Sequence, residues 1–267
     1  MSHFQAIIVG IIQGLTEFLP VSSSGHLVLA QALMGIDDPG LTFELLLHLG
    51  TLLSVLIYFR ATLVRLLRAV FDPAMKSDRA MIGYLAIATV PVGLVGLTLR
   101  KQVEGLGDNP SAVCVFLCIT GLILFLPRLL ANRRRHSDGK ISLGSALAMG
   151  CGQACAVLPG ISRSGSTIVA GMASGVQPSR AAEFSFLLAI PAISGASVVE
   201  FVGHYKEIDP AKLFGPYLAG AVAAFMFGLV AVYAVLEMIR RGKFEYFAYY
   251  CLAVGITGLI YFQSIRS

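Results

Sequence analysis

The sequence has little charge and no tryptophan. Of its 267 residues, 13% are Asp, Glu, Lys or Arg and 56% are hydrophobic, whereas soluble domains carry about 25% charged residues. The mean hydropathy is +0.79, so polar side chains are too few to cover a globular surface. This composition excludes a soluble enzyme, a disordered chain and a nucleic-acid-binding protein. Apolar blocks of about 18–24 residues match the thickness of a bilayer, which predicts a polytopic membrane protein.

Two further absences narrow the class of protein. The five cysteines form no Cys-x-x-Cys motif and stand beside no cluster of histidines, which disfavours a disulfide framework or a zinc site. We interpret them as small packing residues. The N-terminal segment lacks a positively charged region followed by a small-residue cleavage site, so we expect its first hydrophobic segment to be retained.

Six apolar stretches are long enough to span a bilayer as helices. They cover residues 41–59, 80–99, 111–130, 181–203, 215–238 and 246–263. Two other hydrophobic regions, 4–35 and 141–176, are each interrupted by proline, glycine and several serines. Proline removes a backbone donor and glycine loosens the chain, and a broken helix persists at membrane depth only inside protein or beside a polar cavity. We therefore predict two re-entrant hairpins.

The two interrupted regions match each other at an offset of 140 residues. Gln13 corresponds to Gln153, and the segment Ser22–Gly25 corresponds to Ser162–Gly165. We therefore predict an all-α polytopic membrane protein built from a repeat, in which each half has one re-entrant helical hairpin followed by three transmembrane helices. A single integral membrane domain, 1–267, would contain repeat one at about 1–131 and repeat two at about 141–267.

Lysine and arginine concentrate in three of the predicted loops. Loops 60–79, 131–140 and 239–245 hold five, four and three of them, whereas loops 100–110 and 204–214 hold two each, balanced by acidic residues. The positive-inside rule places the first three loops in the cytoplasm and the other two outside. Because an odd number of spans separates the hairpins, this pattern predicts that the second repeat is inverted and that the hairpins meet near the midplane.

Glu17 lies inside the first hairpin, four residues after Gln13 and therefore on the same helical face. A carboxylate within the membrane costs about 2.5 kcal/mol or more, which makes Glu17 a functional candidate. The alternative is a structural ion pair with Arg163. Glu44 and Glu183 follow the two hairpins at equivalent places, and we interpret them as structural.

A run of serines and a histidine follows Glu17. Ser23 and His26 are three residues apart and could form a nucleophile and its base, or line an anion site. Ser22 and Ser24 could bind substrate, but serine is also a favoured helix cap, and Pro20 precedes them. The second hairpin presents Arg163, whose guanidinium suits phosphate or carboxylate. Hydroxyl donors surround it at Ser162, Ser164, Ser166 and Thr167.

Charge balance narrows the ligand of this predicted site. An anionic phosphate bound to Arg163 would be repelled by Glu17 unless a cation lies between them. Mg²⁺ or Ca²⁺ would bridge carboxylate and phosphate oxygens. Because the site lies in the membrane, we expect a lipid phosphate as the ligand.

The run QGLTEFLPVSSSGH at 13–26 and the run PGISRSGST at 159–167 closely resemble the two motifs of the bacterial undecaprenyl-pyrophosphate phosphatase family, which is also known for bacitracin resistance. The resemblance runs the whole length of the chain. It implies hydrolysis of undecaprenyl pyrophosphate to undecaprenyl phosphate and inorganic phosphate, which recycles the carrier lipid for peptidoglycan synthesis. It also implies a bacterial cytoplasmic (inner) membrane protein whose active site faces the external side.

The family motifs imply roles for individual residues of this sequence. They imply that Glu17 and Gln13 support the metal, that Ser23 and His26 are catalytic, and that Arg163 holds the pyrophosphate together with Ser162 and Thr167. Gln13 stands where many members have glutamate. The nucleophile stays open between Ser23, His26 and metal-activated water, with a preference for Ser23 or His26.

The implied partners are the polyprenyl pyrophosphate substrate and membrane lipids, and a homodimer is left open. Paired broken helices also occur in transporters, so a transporter or flippase for a lipid phosphate or another anion is the alternative function. A Ser/His pair beside a carboxylate and an arginine favours the enzyme, because binding alone does not need it.

Overall fold

The fold is described by a computed structural model that covers residues 1–36, 40–107, 109–129, 139–205 and 214–264. Within these ranges all regular structure is helical. Six helices are long and apolar enough to cross a membrane. They are α3 (Leu41–Tyr58), α5 (Lys76–Gly107), α6 (Pro110–Leu129), α9 (Pro178–His204), α10 (Pro216–Arg240) and α11 (Glu245–Ser264). The six predicted spans are confirmed, and the chain is an all-α, multi-pass membrane protein.

Two pairs of shorter helices occupy the interrupted regions. The first pair is α1 (His3–Phe18) and α2 (Ser23–Met34), and the second is α7 (Leu143–Cys155) and α8 (Arg163–Ala173). Helix α1 ends where Leu19 turns extended before Pro20, because a residue before proline avoids the helical region. The second helix of each pair begins in the same way: Ser22 accepts from Gly25 N at 3.3 Å, and Ser162 accepts from Gly165 N at 3.1 Å.

The first helix of each pair packs against a span from the other half of the chain. Helix α1 packs chiefly against α10, whereas α7 packs against α5. A side chain added at Gly10 would meet the backbone of Gly220, and one added at Gly150 would meet the backbone of Ala88. Each half of the chain therefore has a helix pair followed by three spans. The first helix of each pair packs against a span of the other half.

The inversion of one repeat relative to the other stays a prediction. The charges used for it include Arg133, Arg134 and Arg135, which lie outside the described residues. Residues 206–213 of the predicted external loop also lie outside them.

Close packing of α7 on α5 gives a test of this arrangement. A Cβ at Gly150 would lie 2.4 Å from the carbonyl oxygen of Ala88, so Gly150→Ala requires one of the two backbones to shift. We expect this variant to lose about 1–3 kcal/mol of stability, measured by thermal unfolding in detergent. Gly93→Ala on α5 is the matched control, because a Cβ there meets nothing within 4 Å. Equal stability of the two variants would contradict the packing.

A short helix, α4 (Arg60–Phe71), lies in the segment that the sequence analysis treated as a loop. It buries Leu66 and Ala69, while Leu67 and Phe71 are exposed. Its Arg65 pairs with Asp78 at the start of α5, with 3.1 Å between Nε and Oδ1. Exposed apolar and cationic side chains on one short helix are typical of the membrane interface.

Three buried phenylalanines connect the end of α1 with the junction of α3 and α4. The rings of Phe18 and Phe186 meet edge to face with centroids 5.7 Å apart, and those of Phe186 and Phe59 lie 6.3 Å apart. This aromatic row (Phe18, Phe186 and Phe59) begins directly beside Glu17 in the chain. The row packs α1 against α9 and against the junction of α3 and α4, one residue beyond Glu17 in the chain.

Candidate active site

Glu17 is the centre of a buried polar cluster that joins the two hairpins. Its side chain is 2% exposed, and its Oε1 forms an ion pair with Nη2 of Arg163. Its Oε2 accepts hydrogen bonds from Ser23 Oγ at 2.6 Å and from Gln13 Nε2 at 3.0 Å. The structure thus brings together four of the predicted site residues, three from the first hairpin and Arg163 from the second.

Local helix geometry places these groups. Gln13 and Glu17 are four residues apart on α1 and so share one face. Ser23 and Arg163 are the first residues of α2 and α8, so two helix N-termini begin at the cluster. The first amides of a helix lack internal partners, and they carry partial positive charge. The two broken helices therefore supply amide donors beside Arg163, which favours an anionic ligand.

His26 lies on the first turns of α2 but contacts groups other than Ser23 in this structure. Its Nδ1 is 2.8 Å from the carbonyl oxygen of Ser22, and its Nε2 is 2.9 Å from the hydroxyl of Tyr250. Meanwhile the Ser23 hydroxyl donates to Glu17. The group positioned to accept a proton from Ser23 is therefore the carboxylate of Glu17.

The other predicted hydroxyl residues make bonds that hold the hairpins in place. Ser22 and Ser162 cap α2 and α8. Ser164 on α8 donates to the carbonyl of Leu19 at 3.0 Å, which links the two hairpins directly, and Thr167 donates to the carbonyl of Arg163 at 2.8 Å. Their predicted contacts with substrate stay predictions, since these bonds show how the hydroxyls are held.

Two residues outside the motifs contribute to the site. Thr120 on α6 accepts from Ser162 N at 3.0 Å and donates to the carbonyl of Gly160 at 2.8 Å, which fixes the turn before α8. Tyr250 on α11 reaches His26 over 224 residues of sequence. No local pattern marks these residues, because only the folded chain brings them to the hairpins.

The donor atoms beside Glu17 suit a hard divalent cation. Oε1 of Gln13 is buried and has no hydrogen-bond partner among the described residues. Amide and carboxylate oxygens are ligands for Mg²⁺ and Ca²⁺, and Mg²⁺ commonly combines one or two protein carboxylates with phosphate oxygens. Within the described ranges no three or more His, Cys, Asp or Glu side chains cluster as a ready metal site. The donor chemistry of Gln13 and Glu17 therefore fits a hard divalent cation.

Comparison with known proteins identifies the family. The family model for the bacitracin resistance protein BacA matches residues 6–257. An undecaprenyl-diphosphatase of Methanobrevibacter smithii is 43% identical, with 96% of each chain covered. An undecaprenyl-diphosphatase of Syntrophotalea carbinolica is 42% identical over 96% of this chain and 97% of its own. Undecaprenyl-diphosphatase 3 of Bacillus anthracis is 40% identical, again with 96% of each chain covered. The chain therefore belongs to the BacA family.

Proposed function

We propose that this protein hydrolyses undecaprenyl diphosphate to undecaprenyl phosphate and inorganic phosphate. The observation that carries the proposal is the contact of one buried carboxylate, Glu17, with a hydroxyl, Ser23, and a guanidinium, Arg163. The names of the similar proteins support the substrate. The six membrane helices would hold the prenyl chain at the depth of the site. We propose that the protein lies in the cytoplasmic membrane and that its site faces outside.

Arg163 and the helix N-termini would bind the diphosphate. In this structure Arg163 is paired with Glu17, so an entering diphosphate competes with the carboxylate for the guanidinium. The amides of the first turns of α2 and α8 would add hydrogen bonds to the phosphate oxygens. Glu17 and Gln13 would hold Mg²⁺ or Ca²⁺, which would supply positive charge that offsets the charge of the diphosphate.

Ser23 is the nucleophile that the hydrogen bonds favour. Its Oγ would attack the terminal phosphorus while its proton passes to Oε2 of Glu17, 2.6 Å away. The bond from the terminal phosphorus to the bridging oxygen breaks, and undecaprenyl phosphate leaves with the electron pair. Water then attacks the phosphorus of the phosphoserine and gives one proton to Nε2 of His26, the bond from phosphorus to Oγ breaks, and Glu17 returns its proton to Oγ. Inorganic phosphate departs, and His26 releases its proton to the solvent. Positive charge at Arg163 would stabilise both transition states.

Phosphate release from undecaprenyl diphosphate tests the function. Purified wild-type protein and Ser23→Ala would be assayed in detergent with Mg²⁺, with Ca²⁺ and with EDTA. We expect release by the wild-type protein with a divalent cation and its loss in EDTA. We expect a fall of at least about 10³-fold in Ser23→Ala, because the attacking oxygen is removed. Ser174→Ala is the matched control, since that exposed hydroxyl donates within its own helix end.

The covalent intermediate identifies the nucleophile. Rapid quenching with diphosphate labelled at the terminal phosphate should trap an acid-stable phosphoserine at position 23. An acid-labile phosphohistidine at position 26 would assign the attack to His26 instead. Phosphate release with no labelled protein at any time would show direct attack by water. No phosphate release from folded wild-type protein with either metal would contradict the proposed function itself.

A further inference from the structure

Tyr250 on α11 contacts the first hairpin at the imidazole of His26. The two rings are nearly parallel, with 7° between their planes and 5.5 Å between their centroids. The hydroxyl of Tyr250 is 2.9 Å from Nε2. The motifs of the sequence contain His26 but not Tyr250, so this contact is a contribution of the last helix to the site.

The hydrogen bonds of His26 define its tautomer. A carbonyl oxygen can only accept, so Nδ1, which lies 2.8 Å from the carbonyl of Ser22, must carry the hydrogen. In the neutral ring Nε2 then carries the lone pair and accepts the hydrogen of the Tyr250 hydroxyl. Because Nδ1 is used within its own helix turn, any proton or phosphoryl group that His26 exchanges with a substrate must move through Nε2.

Buried neighbours hold the backbone of α11 at Tyr250 against the first hairpin. Next to it in the chain, Cys251 is fully buried and its Sγ lies 3.8 Å from the carbonyl of Pro20, in the turn between α1 and α2. Phe247 and Ala248, one turn earlier, are also buried. The face of α11 next to Tyr250 is therefore anchored on the turn between α1 and α2, while the Tyr250 side chain itself is half-exposed. The hydroxyl then fixes the remaining rotation of the imidazole.

We propose that Tyr250 is a positioning residue: its hydroxyl holds the His26 ring with Nδ1 protonated and with the Nε2 lone pair directed at Tyr250, until His26 takes a proton at Nε2. This role rests on the proposed phosphatase function. Tyr250 acts through His26 and makes no contact of its own with the reacting phosphorus. Its loss should therefore lower kcat more than it changes KM, since lipid binding does not depend on the hydroxyl.

Nitrogen-15 spectra of histidine-labelled protein test the contact without reference to activity. In wild-type protein, Nε2 of His26 should resonate as a hydrogen-bonded lone-pair nitrogen. In Tyr250→Phe the Nε2 resonance should move toward that of a nitrogen whose lone pair is not hydrogen-bonded. Tyr249→Phe should leave the Nε2 resonance unchanged. Tyr249 is the matched control because it is the adjacent residue on α11, similarly exposed, and its ring packs against Phe125. An unchanged Nε2 resonance in Tyr250→Phe would overturn the proposal.

Steady-state kinetics test whether Tyr250 positions His26. Tyr250→Phe keeps the ring stack but removes the hydroxyl, so we expect kcat to fall about fivefold to tenfold, the effect of one neutral hydrogen bond. In a His26→Gln background, the same substitution should change kcat no further, because the pathway through His26 is already gone. Losses that multiply in the double variant, or a wild-type kcat in Tyr250→Phe, would overturn the proposal. If wild-type protein released no phosphate, the function would fail while the spectra still reported on the Tyr250 contact.

Discussion

Arg163→Gln is expected to lower kcat/KM for phosphate release by about 10³-fold or more. Arginine side chains that neutralise charge during phosphoryl transfer contribute rate factors of about 10³–10⁵. Arg163 is the cation that the second hairpin brings to Glu17, and glutamine keeps a polar side chain of smaller size without the charge. Arg163→Lys should show an intermediate loss, because lysine restores the charge but lacks the planar pair of donors. Initial rates at several lipid concentrations would measure both variants.

The stability of variants in the Glu17–Arg163 pair has to be measured together with their activity. Removing Arg163 leaves a carboxylate that is 2% exposed without its counter-charge, and breaking a buried ion pair costs about 3–5 kcal/mol. The double variant Glu17→Gln/Arg163→Gln removes both charges and should regain most of that stability. It should remain inactive. A double variant that recovered both stability and hydrolysis would show that the pair is only structural.

Glu17→Gln is expected to slow hydrolysis by about 10²–10⁴-fold, the usual contribution of a positioned proton acceptor. Glutamine has nearly the same shape, but it cannot take the proton of Ser23 or offer a full negative charge to a cation. The loss of stability should be smaller than for Arg163→Gln, because the Arg163 side chain is 24% exposed and can be hydrated. Single-turnover experiments should show slower formation of the phosphoserine.

Glu237→Gln is the matched control for Glu17→Gln. Glu237 also pairs with an arginine, Arg241, at 2.7 Å, but both side chains are partly or largely exposed. Exposed ion pairs contribute about 0–1 kcal/mol, so this variant should keep wild-type activity and stability. A loss of hydrolysis in both variants would show that the substitutions damage the fold of the protein in general. Full activity in Glu17→Gln would contradict the role of Glu17 as proton acceptor.

The sequence predicted the helices well because their signals are local. Continuous apolar stretches located five of the six spans to within three residues at each end, as for 41–59 against Leu41–Tyr58, whereas the predicted span 80–99 lies inside the longer helix α5. The serine run after Pro20, interpreted as a possible helix cap, lies where α2 begins at Ser23. Helix α4 was not predicted, because its arginines lower the mean hydropathy of the segment and make it resemble a charged loop.

Contacts between distant segments were harder to predict. The meeting of Glu17 with Arg163 was considered from charge alone, since two buried opposite charges in one membrane domain favour pairing. The spacing of Ser23 and His26 on one helix turn predicted that they would pair. In the structure, however, Ser23 is hydrogen-bonded to Glu17 and His26 is hydrogen-bonded to Tyr250. Spacing shows which residues share a face, but the neighbouring helices decide which bonds form.

The aromatic row of Phe18, Phe186 and Phe59 fills the space between α1, α9 and the junction of α3 and α4 with buried rings. An ion passing between these rings would have to lose its hydration shell, at a cost of several kcal/mol or more. We therefore expect the row to resist the leakage of ions along this path, although the polar cluster around Glu17 lies close by in the chain.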